Sequence, residues 1–314
     1  MKKIQHVAAA IRDDLPEGGA LDRAVDIARR SGARLSLFIF SFDKAIDAWS
    51  TTGDRKARDR AIAEHLDERR RWLRERAAPL EKDGMSVKTE VIWGHPVSRE
   101  IVKMSLVVKP DLLVKDAESG PRRGWAPLDW HLLRHCPSPL YLVQPRAGAE
   151  LRRVLAAVDP AHGWGKPDTL DNVILDAGSY LTELYGAELH LANAIEPMPA
   201  LIAQHLGAGD PGAIEKARGE FHSEQEKLLK QSLEGRDVDS GRIHQREGSP
   251  AEAISAIAED IGADLLVLGT VNRKGLRRAI IGSTAEAVLD RVKCDVLAIK
   301  PEGFVSDEEV LKEA

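Results

Sequence analysis

Short apolar runs alternate along the chain with longer segments that mix apolar and charged residues. Val7–Ile11 and Val154–Val158 are two such runs, and each is followed by further short runs at similar intervals. Continuous apolar runs of this length are typical of parallel strands buried on both faces, and the mixed segments between them predict crossover helices. We therefore predict an α/β fold in which each half of the chain follows the order β-α-β-α-β-α-β-α-β.

Right-handed crossovers between such strands predict a doubly wound parallel sheet in each half, with a ligand crevice at the carboxyl ends of the strands. In the first half, the segment from about Asp54 to Lys82 is dense in Arg and Glu and predicts a long helix with a solvated, ion-paired face. In the second half we predict strands near residues 152–158, 188–195, 240–246, 264–269 and 295–300.

The two halves of the chain repeat one another. Corresponding segments occur in the same order, and each pair has the same place relative to the predicted strands. The matched pairs are Gly32–Leu35 with Gly186–Leu189, Gly94–Pro96 with Gly248–Pro250, Asp111–Val114 with Asp264–Val267, and Leu140–Pro145 with Val296–Pro301. The sequence thus predicts two domains of one fold, which we call the first and second repeats.

The duplication also predicts the domain boundaries, and 314 residues suit two domains better than one core. We place the first repeat at 1–147 and the second at 150–302, joined by a short linker at 146–149. A C-terminal tail follows at 303–314.

Composition narrows the classes of partner. The chain has 45 Lys and Arg against 50 Asp and Glu, a net charge of -5, and only 4% aromatic residues, so we expect no nucleic acid partner. Val7–Ile11 is far shorter than a signal-peptide core or a membrane span, and we expect a cytoplasmic protein with no membrane partner.

Cys136 and Cys294 occupy nearly equivalent places in the two repeats, which favours two buried thiols over a disulfide or a metal pair.

The segment from Leu266 to Glu286 carries the most informative chemistry. A predicted strand ends at Gly269, a basic loop follows, and Gly282-Ser283 opens the next helix. Small residues allow backbone N–H groups to approach an anion, and the helix N-terminus adds partial positive charge, which suits a di- or triphosphate. The alternative is structural, because Ser283 with Glu286 also forms a capping box and Gly269 could serve only the turn.

The spacing of these residues resembles the signature of the universal stress protein family. That signature runs from Gly269 over two residues to Asn272, where the family normally has glycine, and over nine more to Gly282-Ser283. The resemblance covers the whole chain as two tandem domains and includes Asp129–Arg134 with Cys136-Pro137. It implies a Rossmann-like, five-stranded parallel sheet per repeat, in the strand order 3-2-1-4-5.

The resemblance also implies a site for ATP or a related nucleotide, with or without Mg²⁺, in the second repeat. Asp159 would hold the ribose, and the adenine would lie near Ala157 and Ala194. The phosphates would meet the backbone at Gly269, Asn272 and Gly282, with Leu268 nearby, and the hydroxyls of Ser283 and Thr284.

Two features of the loop leave the affinity of this site open. Asn272 tolerates positive φ better than most residues, but its side chain narrows the space for a phosphate, so weakened or altered binding is expected. The loop also carries four cations, which either neutralise phosphates or form a solvated surface. They are Arg273, Lys274, Arg277 and Arg278.

The first repeat lacks most of these residues. Asp116 takes the place of Gly269, Arg12 that of Asp159, and Ala126-Pro127 that of Gly282-Ser283. A carboxylate at the first phosphate position repels the ligand, and proline removes a backbone donor. We predict that the first repeat does not bind ATP.

Several other residues could carry chemistry but also have simpler explanations. His131 and His135 lie one helical turn apart beside Cys136, but no further ligand is suitably spaced, so we expect ordinary helix histidines and no metal. His162 and Trp164 follow Asp159 and either pack the loop or contact a base. Pro197–Gly212 resembles a mobile apolar flap, which either covers a ligand or packs against the neighbouring domain.

No general base, metal cluster or nucleophile converges on the loop, so we do not predict an enzyme. We expect a stress-response protein that binds nucleotide in its second repeat and acts through conformation or an unknown protein partner. The alternatives are a nucleotide-independent scaffold with a vestigial site and an enzyme acting on a nucleotide-linked substrate. Because family dimers bury the last strand of each domain, we expect 139–145 and 295–300 to pair within this chain as an internal pseudo-dimer, and homodimer formation stays open.

Overall fold

The computed structural model places helices and strands in the order that the sequence predicts, with one additional short helix between the second and third strands of the first repeat. It describes residues 3–12, 19–48, 54–118, 127–145, 150–161, 169–197, 202, 205, 211–236, 238–270 and 283–306. The first repeat contains β1 (His6–Ile11), α1 (Ala20–Ser31), β2 (Arg34–Ser41), α2 (Lys44–Ala48), α3 (Arg55–Lys82), β3 (Val87–Trp93), α4 (Val97–Val108), β4 (Leu112–Asp116), α5 (Pro127–His135) and β5 (Leu140–Val143). The second contains β6 (Arg153–Ala157), α6 (Leu170–Tyr185), β7 (Glu188–Ile195), α7 (Pro211–Ser232), β8 (Ile243–Glu247), α8 (Pro250–Asp260), β9 (Leu265–Gly269), α9 (Ser283–Leu289) and β10 (Asp295–Ile299).

The chain divides into two compact units. The first unit consists of residues 2–149 with 295–314, and the second consists of residues 150–294. Strand β10 therefore belongs to the first unit although its sequence belongs to the second repeat. The predicted boundaries at 147 and 150 and the predicted tail remain predictions.

The sheet of the first unit has the order β3-β2-β1-β4-β5-β10. Strands β1 to β5 pair in parallel, which confirms the predicted order 3-2-1-4-5 for the first repeat. Strand β10 pairs antiparallel with β5, with Leu297 opposite Tyr141. The expected pairing of the two last strands is present, and it makes this sheet larger than the predicted five strands.

A buried carboxylate fixes the start of β10 against β5. Asp295 is 1% exposed and accepts hydrogen bonds of 2.9 Å from the Tyr141 hydroxyl and from the Gln144 backbone N–H. The Arg23 guanidinium lies 3.3 Å from the same carboxylate. Because a buried charge is costly unless it is paired and hydrogen-bonded, these contacts specify the register of β10.

The sheet of the second unit has the order β9-β6-β7-β8, and the pairs are parallel. The predicted strand at 240–246 begins later, at Ile243. Residues Ser240–Arg242 instead form one turn of 3₁₀ helix, because the Asp239 side chain accepts from the Gly241 N–H and bends the backbone before the strand.

Two corresponding helices show how the repeats differ. Helix α1 buries Ala20, Ala24, Ile27 and Ala28, and α6 buries residues at the same spacing, from Ile174 to Thr182. This spacing places one apolar stripe of each helix on its sheet. The two helices end at corresponding left-handed glycines, Gly32 and Gly186. Helix α1 has 12 residues and α6 has 16, so α6 is one turn longer at its N-terminus.

Helix α3 is the long charged helix that the sequence predicts. It begins after Asp54, whose side chain accepts from the Lys56 N–H, and it buries only Leu73 and Ala77. Both cysteines are buried and neither forms a disulfide, as expected. Within the described residues, no helix combines the length and the apolar character needed to cross a membrane.

Candidate functional site

The carboxyl edge of the second unit's sheet brings several predicted site residues together. Strand β6 pairs in parallel with both β7 and β9, so the ends of these three strands are neighbours. Ala157 is the last residue of β6, Ala194 lies one residue before the end of β7, and Leu268 and Gly269 end β9. Asp159 follows β6 by two residues and is exposed, whereas Val158 before it is 3% exposed.

The remaining predicted site residues lie outside the described residues or are described only by their backbone. Asn272 and Gly282 lie outside the described residues, as do the four loop cations, His162 and Trp164. Most of the predicted flap at 197–212 also falls outside them. Ser283 and Thr284 are the first two residues of α9, and their side chains are not described. Their predicted contacts with phosphate therefore remain predictions.

The peptide group that joins Val158 to Asp159 is hydrogen-bonded at both of its polar ends. Its carbonyl accepts from the Asn193 side-chain amide at 3.2 Å. Its N–H donates to the Asp171 carboxylate, whose two oxygens lie at 3.2 and 3.3 Å. Asp171 belongs to the additional first turn of α6, and it is 6% exposed.

A pair of amides, of which Asn193 is buried and Gln245 is partly exposed, lies beside this peptide group. Asn193 is 1% exposed, and its carbonyl oxygen accepts from the Gln245 side chain at 3.0 Å. Asn193 and Gln245 are register partners on β7 and β8. Because Asn193 also donates to Val158, its buried amide is hydrogen-bonded through both of its polar atoms.

Gly269 has a packing role in this structure. A Cβ atom at this position would lie 2.6 Å from Leu170 Cδ2, 2.8 Å from Leu170 Cγ and 3.1 Å from Ile174 Cδ1. These side chains of α6 leave no room for one, since real Cβ contacts are rarely so short. This packing is a reason for glycine here that needs no phosphate, and it is compatible with the predicted close approach of one.

In the first repeat, the corresponding strand end carries a carboxylate instead. Asp116 ends β4, and its Oδ1 accepts a 2.7 Å hydrogen bond from the Ala20 N–H, the first residue of α1. Gly19 precedes it with φ of 70°, and a Cβ there would collide with the same Asp116 oxygen. Burial raises the pKa of the Asp116 carboxyl, an effect that the Ala20 N–H opposes.

A group of charged side chains, which we call the first-repeat charge cluster, surrounds this strand end. The Lys115 ammonium is almost fully buried and donates to Glu118 at 2.7 Å, to the Asp116 carbonyl at 2.8 Å and to Asp129 at 3.0 Å. Asp129 is fully buried and also accepts from the Glu118 N–H at 2.7 Å. Burial raises the pKa of the Asp129 carboxyl, against the effect of Lys115. The cluster consists of Arg12, Lys115, Asp116, Glu118 and Asp129.

Arg12, which stands in the place of Asp159, takes part in this cluster. Its guanidinium lies 3.7 Å from Glu118, and its side chain is 38% exposed. The carboxyl edge of the first repeat is thus occupied by its own cations and carboxylates. An entering phosphate would have to displace Asp116 from the α1 N-terminus, so this arrangement supports the prediction that the first repeat does not bind ATP.

The two helix histidines of the first repeat pack on each other. The His131 and His135 rings lie 4.5 Å apart between centroids. Burial, with His135, Arg99 and Arg134 nearby, lowers the pKa of His131 to about 4. Within the described ranges, no set of three or more His, Cys, Asp and Glu side chains is placed to hold a metal ion.

Sequence reasoning missed three residues at the site, namely Asp171, Asn193 and Gln245. One signal was present for Asn193, because a lone amide interrupts the apolar residues of Leu191–Ile195. No comparable signal marked Asp171, whose role depends on the extra turn of α6.

The comparisons with known proteins agree with the repeat structure. Residues 3–144 and 150–300 each match the model of the universal stress protein family. The chain is 30% identical to universal stress protein E of Salmonella typhi and 29% identical to that of Escherichia coli K12, over 99% of this chain and 98% of each relative.

Solved structures show the same fold over nearly the whole chain. A functionally unknown protein from Pseudomonas aeruginosa PAO1 has a TM-score of 0.74 at 24% identity, covering 99% of this chain and 95% of that one. A universal stress protein from Archaeoglobus fulgidus DSM 4304 has a TM-score of 0.62 at 18% identity, with coverages of 96% and 99%. With two family matches that together span almost all of its length, this chain belongs to the universal stress protein family as a tandem, two-domain member.

Proposed function

We propose that this universal stress protein binds ATP or a related nucleotide in its second repeat and acts by regulation or choice of partner. The observation that carries the proposal is the exposed Asp159, which follows β6 at an edge where three parallel strands end together. Such an edge is where doubly wound sheets bind their ligands. A carboxylate there is a suitable acceptor for the two hydroxyls of a ribose.

Each predicted residue has a part in this proposal. Ala157 and Ala194 are partly exposed and small, so they leave space for the flat face of an adenine. The phosphates would lie along the backbone from Leu268 and Gly269 to Asn272 and Gly282, ending at the hydroxyls of Ser283 and Thr284. Mg²⁺, if it accompanies the nucleotide, would be bound mainly through the phosphate oxygens.

The proposed mode of action is a change in conformation that depends on the nucleotide. A ligand shifts an equilibrium only by its difference in affinity for the two states, so the loop that contacts the phosphates is the natural part to differ. The first repeat, with its charge cluster in place of a site, would act as a fixed partner. We also propose that the chain is an internal pseudo-dimer, which the pairing of β10 with β5 supports.

Calorimetry tests the proposal directly. We expect ATP to bind the purified protein with one nucleotide per chain, and we expect Gly282→Trp to abolish binding because the indole fills the phosphate position. The matched control is Ala126→Trp, at the corresponding position of the first repeat, which should leave binding unchanged. Absence of binding to the unaltered protein at millimolar ATP contradicts the proposal, as does equal loss in both variants.

A nucleotide-independent scaffold is the second candidate. The packing of Leu170 against Gly269 favours it, since that glycine is then required even without a phosphate. Asn272 at a position where the family normally has glycine points the same way. Mass spectrometry of small molecules that remain bound through purification separates the two candidates, because only the first expects a nucleotide.

A further inference from the structure

The amide pair Asn193–Gln245 is unusual for its position inside a parallel sheet. Burying an amide costs free energy unless hydrogen bonds replace those lost to water. Asn193 lies within β7 and is 1% exposed, so the fold must supply partners for it, and it does so with Val158 and Gln245. A buried polar group that needs such partners often marks a functional position.

The first repeat provides an internal comparison. The residue that corresponds to Asn193 is Ile39, and its register partner on β3 is Val91, as Gln245 is the partner of Asn193 on β8. Ile39 is fully buried and Val91 is 9% exposed. The corresponding place in the sheet of the first repeat therefore accepts an apolar pair, and the fold alone does not require the amides.

The amide pair differs from the apolar pair in what it does to the neighbouring strand. Asn193 donates to the Val158 carbonyl, which Ile39 could not do for the corresponding Ile11. Strand β6 ends at Ala157, and among the described residues the last backbone hydrogen bond to β7 is the one that the Val158 N–H donates to the Ala192 carbonyl at 2.9 Å. Beyond that point, side chains rather than the strand ladder hold the backbone.

Asp171 holds the other end of the same peptide group. Its carboxylate accepts the Asp159 N–H, and it lies in the turn of α6 that α1 lacks. With its carbonyl and its N–H both engaged, the peptide plane before Asp159 is fixed in orientation. The position of the Asp159 Cα atom is fixed with it, so that only rotation about the Asp159 N–Cα bond directs the Cβ atom, while the residue itself stays exposed.

We propose that Asn193 and Asp171 are positioning residues that hold the Val158–Asp159 peptide so that the Asp159 carboxylate faces the ribose hydroxyls of a bound nucleotide. The inference rests on the function proposed above. Its chemical consequence is selectivity for a ligand with free ribose hydroxyls. A carboxylate held in place gains more binding free energy from hydrogen bonds to these hydroxyls than one that rotates freely.

The test compares ATP with 2′,3′-dideoxy-ATP, which lacks both hydroxyls. We expect the unaltered protein to bind ATP at least about tenfold more tightly, as hydrogen bonds to a charged group imply. The variant Asn193→Ile with Gln245→Val recreates the apolar pair of the first repeat, which this fold accommodates. We expect it to reduce the ratio of the two dissociation constants to about two or less, with the affinity for inorganic tripolyphosphate unchanged.

Two variants of Asp171 test whether its acceptor oxygen is what the preference for ATP requires. Asp171→Asn keeps an oxygen that can accept the Asp159 N–H, so it should retain most of the preference for ATP. Asp171→Leu keeps the size and removes the acceptor, so it should lose the preference. The matched control is Ile39→Leu in the first repeat, which repacks the corresponding position and should leave the ratio unchanged.

Amide hydrogen exchange provides a readout without ligand. The Asp159 N–H should exchange at least about tenfold faster in Asp171→Leu than in the unaltered protein, since its acceptor is gone. Unchanged protection of that amide contradicts the proposed hold on the peptide.

The outcomes separate this inference from the proposed function. If the unaltered protein binds neither nucleotide, the proposed function is lost and the positioning role with it. If it binds ATP but the ratio is unchanged in the double variant and in Asp171→Leu, the positioning role alone is overturned. Equal weakening of both nucleotides in these variants, with the ratio preserved, also overturns it, because that is the result of a merely structural role.

Discussion

The Asp116 carboxylate accepts a 2.7 Å hydrogen bond from the Ala20 backbone N–H at the start of α1. Asp116 corresponds to Gly269 of the second repeat, where the strand end is covered by Leu170 and Ile174 of the longer α6. The first repeat thus uses a side chain where the second uses an additional helical turn. Both solutions close the gap between the strand end and the helix N-terminus.

Replacing Asp116 tests its role as a cap of α1. Asp116→Ala leaves the Ala20 N–H without its carboxylate and should lower the free energy of unfolding by about 0.5–2 kcal/mol, as loss of an N-terminal cap does. Asp116→Asn retains an acceptor oxygen and should recover most of that loss. Urea denaturation of the three proteins measures the effect, and equal destabilisation by Ala and Asn would argue against a hydrogen-bonded cap.

Removing one partner of the buried pair Lys115–Asp129 should lower the free energy of unfolding much more than replacing both partners. Lys115→Met leaves the fully buried Asp129 without its cation, and we expect a loss of about 3–5 kcal/mol in the free energy of unfolding. Adding Asp129→Asn removes the uncompensated charge and keeps an acceptor for the Glu118 N–H, so it should restore about 2 kcal/mol or more.

The control for this pair is an exposed lysine on α7. Lys227 lies 3.1 Å from Glu224, and its side chain is 60% exposed. Lys227→Met should change stability by less than about 1 kcal/mol. If Lys115→Met proves as mild as Lys227→Met, the first-repeat charge cluster does not hold the strand end as the distances indicate.

The packing role of Gly269 can be separated from its proposed role at the phosphate. Gly269→Ala should destabilise by about 1–3 kcal/mol, because the new Cβ meets Leu170 at 2.6 Å. In a Leu170→Ala background the same change should cost clearly less, since the opposing side chain is gone. Affinity for ATP, measured in both backgrounds, reports the other role: a loss that persists with Leu170→Ala belongs to the phosphate approach.

The repeated apolar runs allowed most of the fold to be predicted. They recur in matching order, so each half of the sequence supports the strands predicted in the other, and the strand order of the first repeat is as expected. The predicted start of β8 is wrong because Ser240–Arg242 has no pattern that distinguishes a 3₁₀ turn from a strand. Local hydrogen bonding by Asp239 decided that boundary.

The site was predictable only where its residues follow a motif. The sequence predicts Gly269 as a phosphate contact or as a residue that serves only the turn, but its packing against Leu170 depends on how far α6 extends, which the sequence pattern does not reveal. The charge cluster is similarly hidden, because Lys115 and Asp129 are 14 residues apart and each alone reads as a surface charge. Contacts between distant polar residues have no periodicity, and periodicity carries most of the sequence signal.

His131 should make the protein sensitive to mild acid. The pKa of His131 is lowered to about 4, chiefly by burial, whereas an unfolded histidine titrates near about 6.5. The fold therefore favours the neutral ring, and this contribution to stability is complete above about pH 6.5 and is lost as the pH falls towards 4. Over that window the loss should amount to about 1–3 kcal/mol.

Replacing the ring with a side chain that does not titrate isolates this effect. His131→Gln should lose less stability than the unaltered protein between pH 7 and pH 4.5, as measured by urea denaturation at both values. Some acid sensitivity should remain, because burial also lowers the pKa of His6 and of His244. Identical losses in the two proteins would mean that His131 is protonated in the folded state without cost, and therefore that its ring is more accessible to water than its packing against His135 indicates.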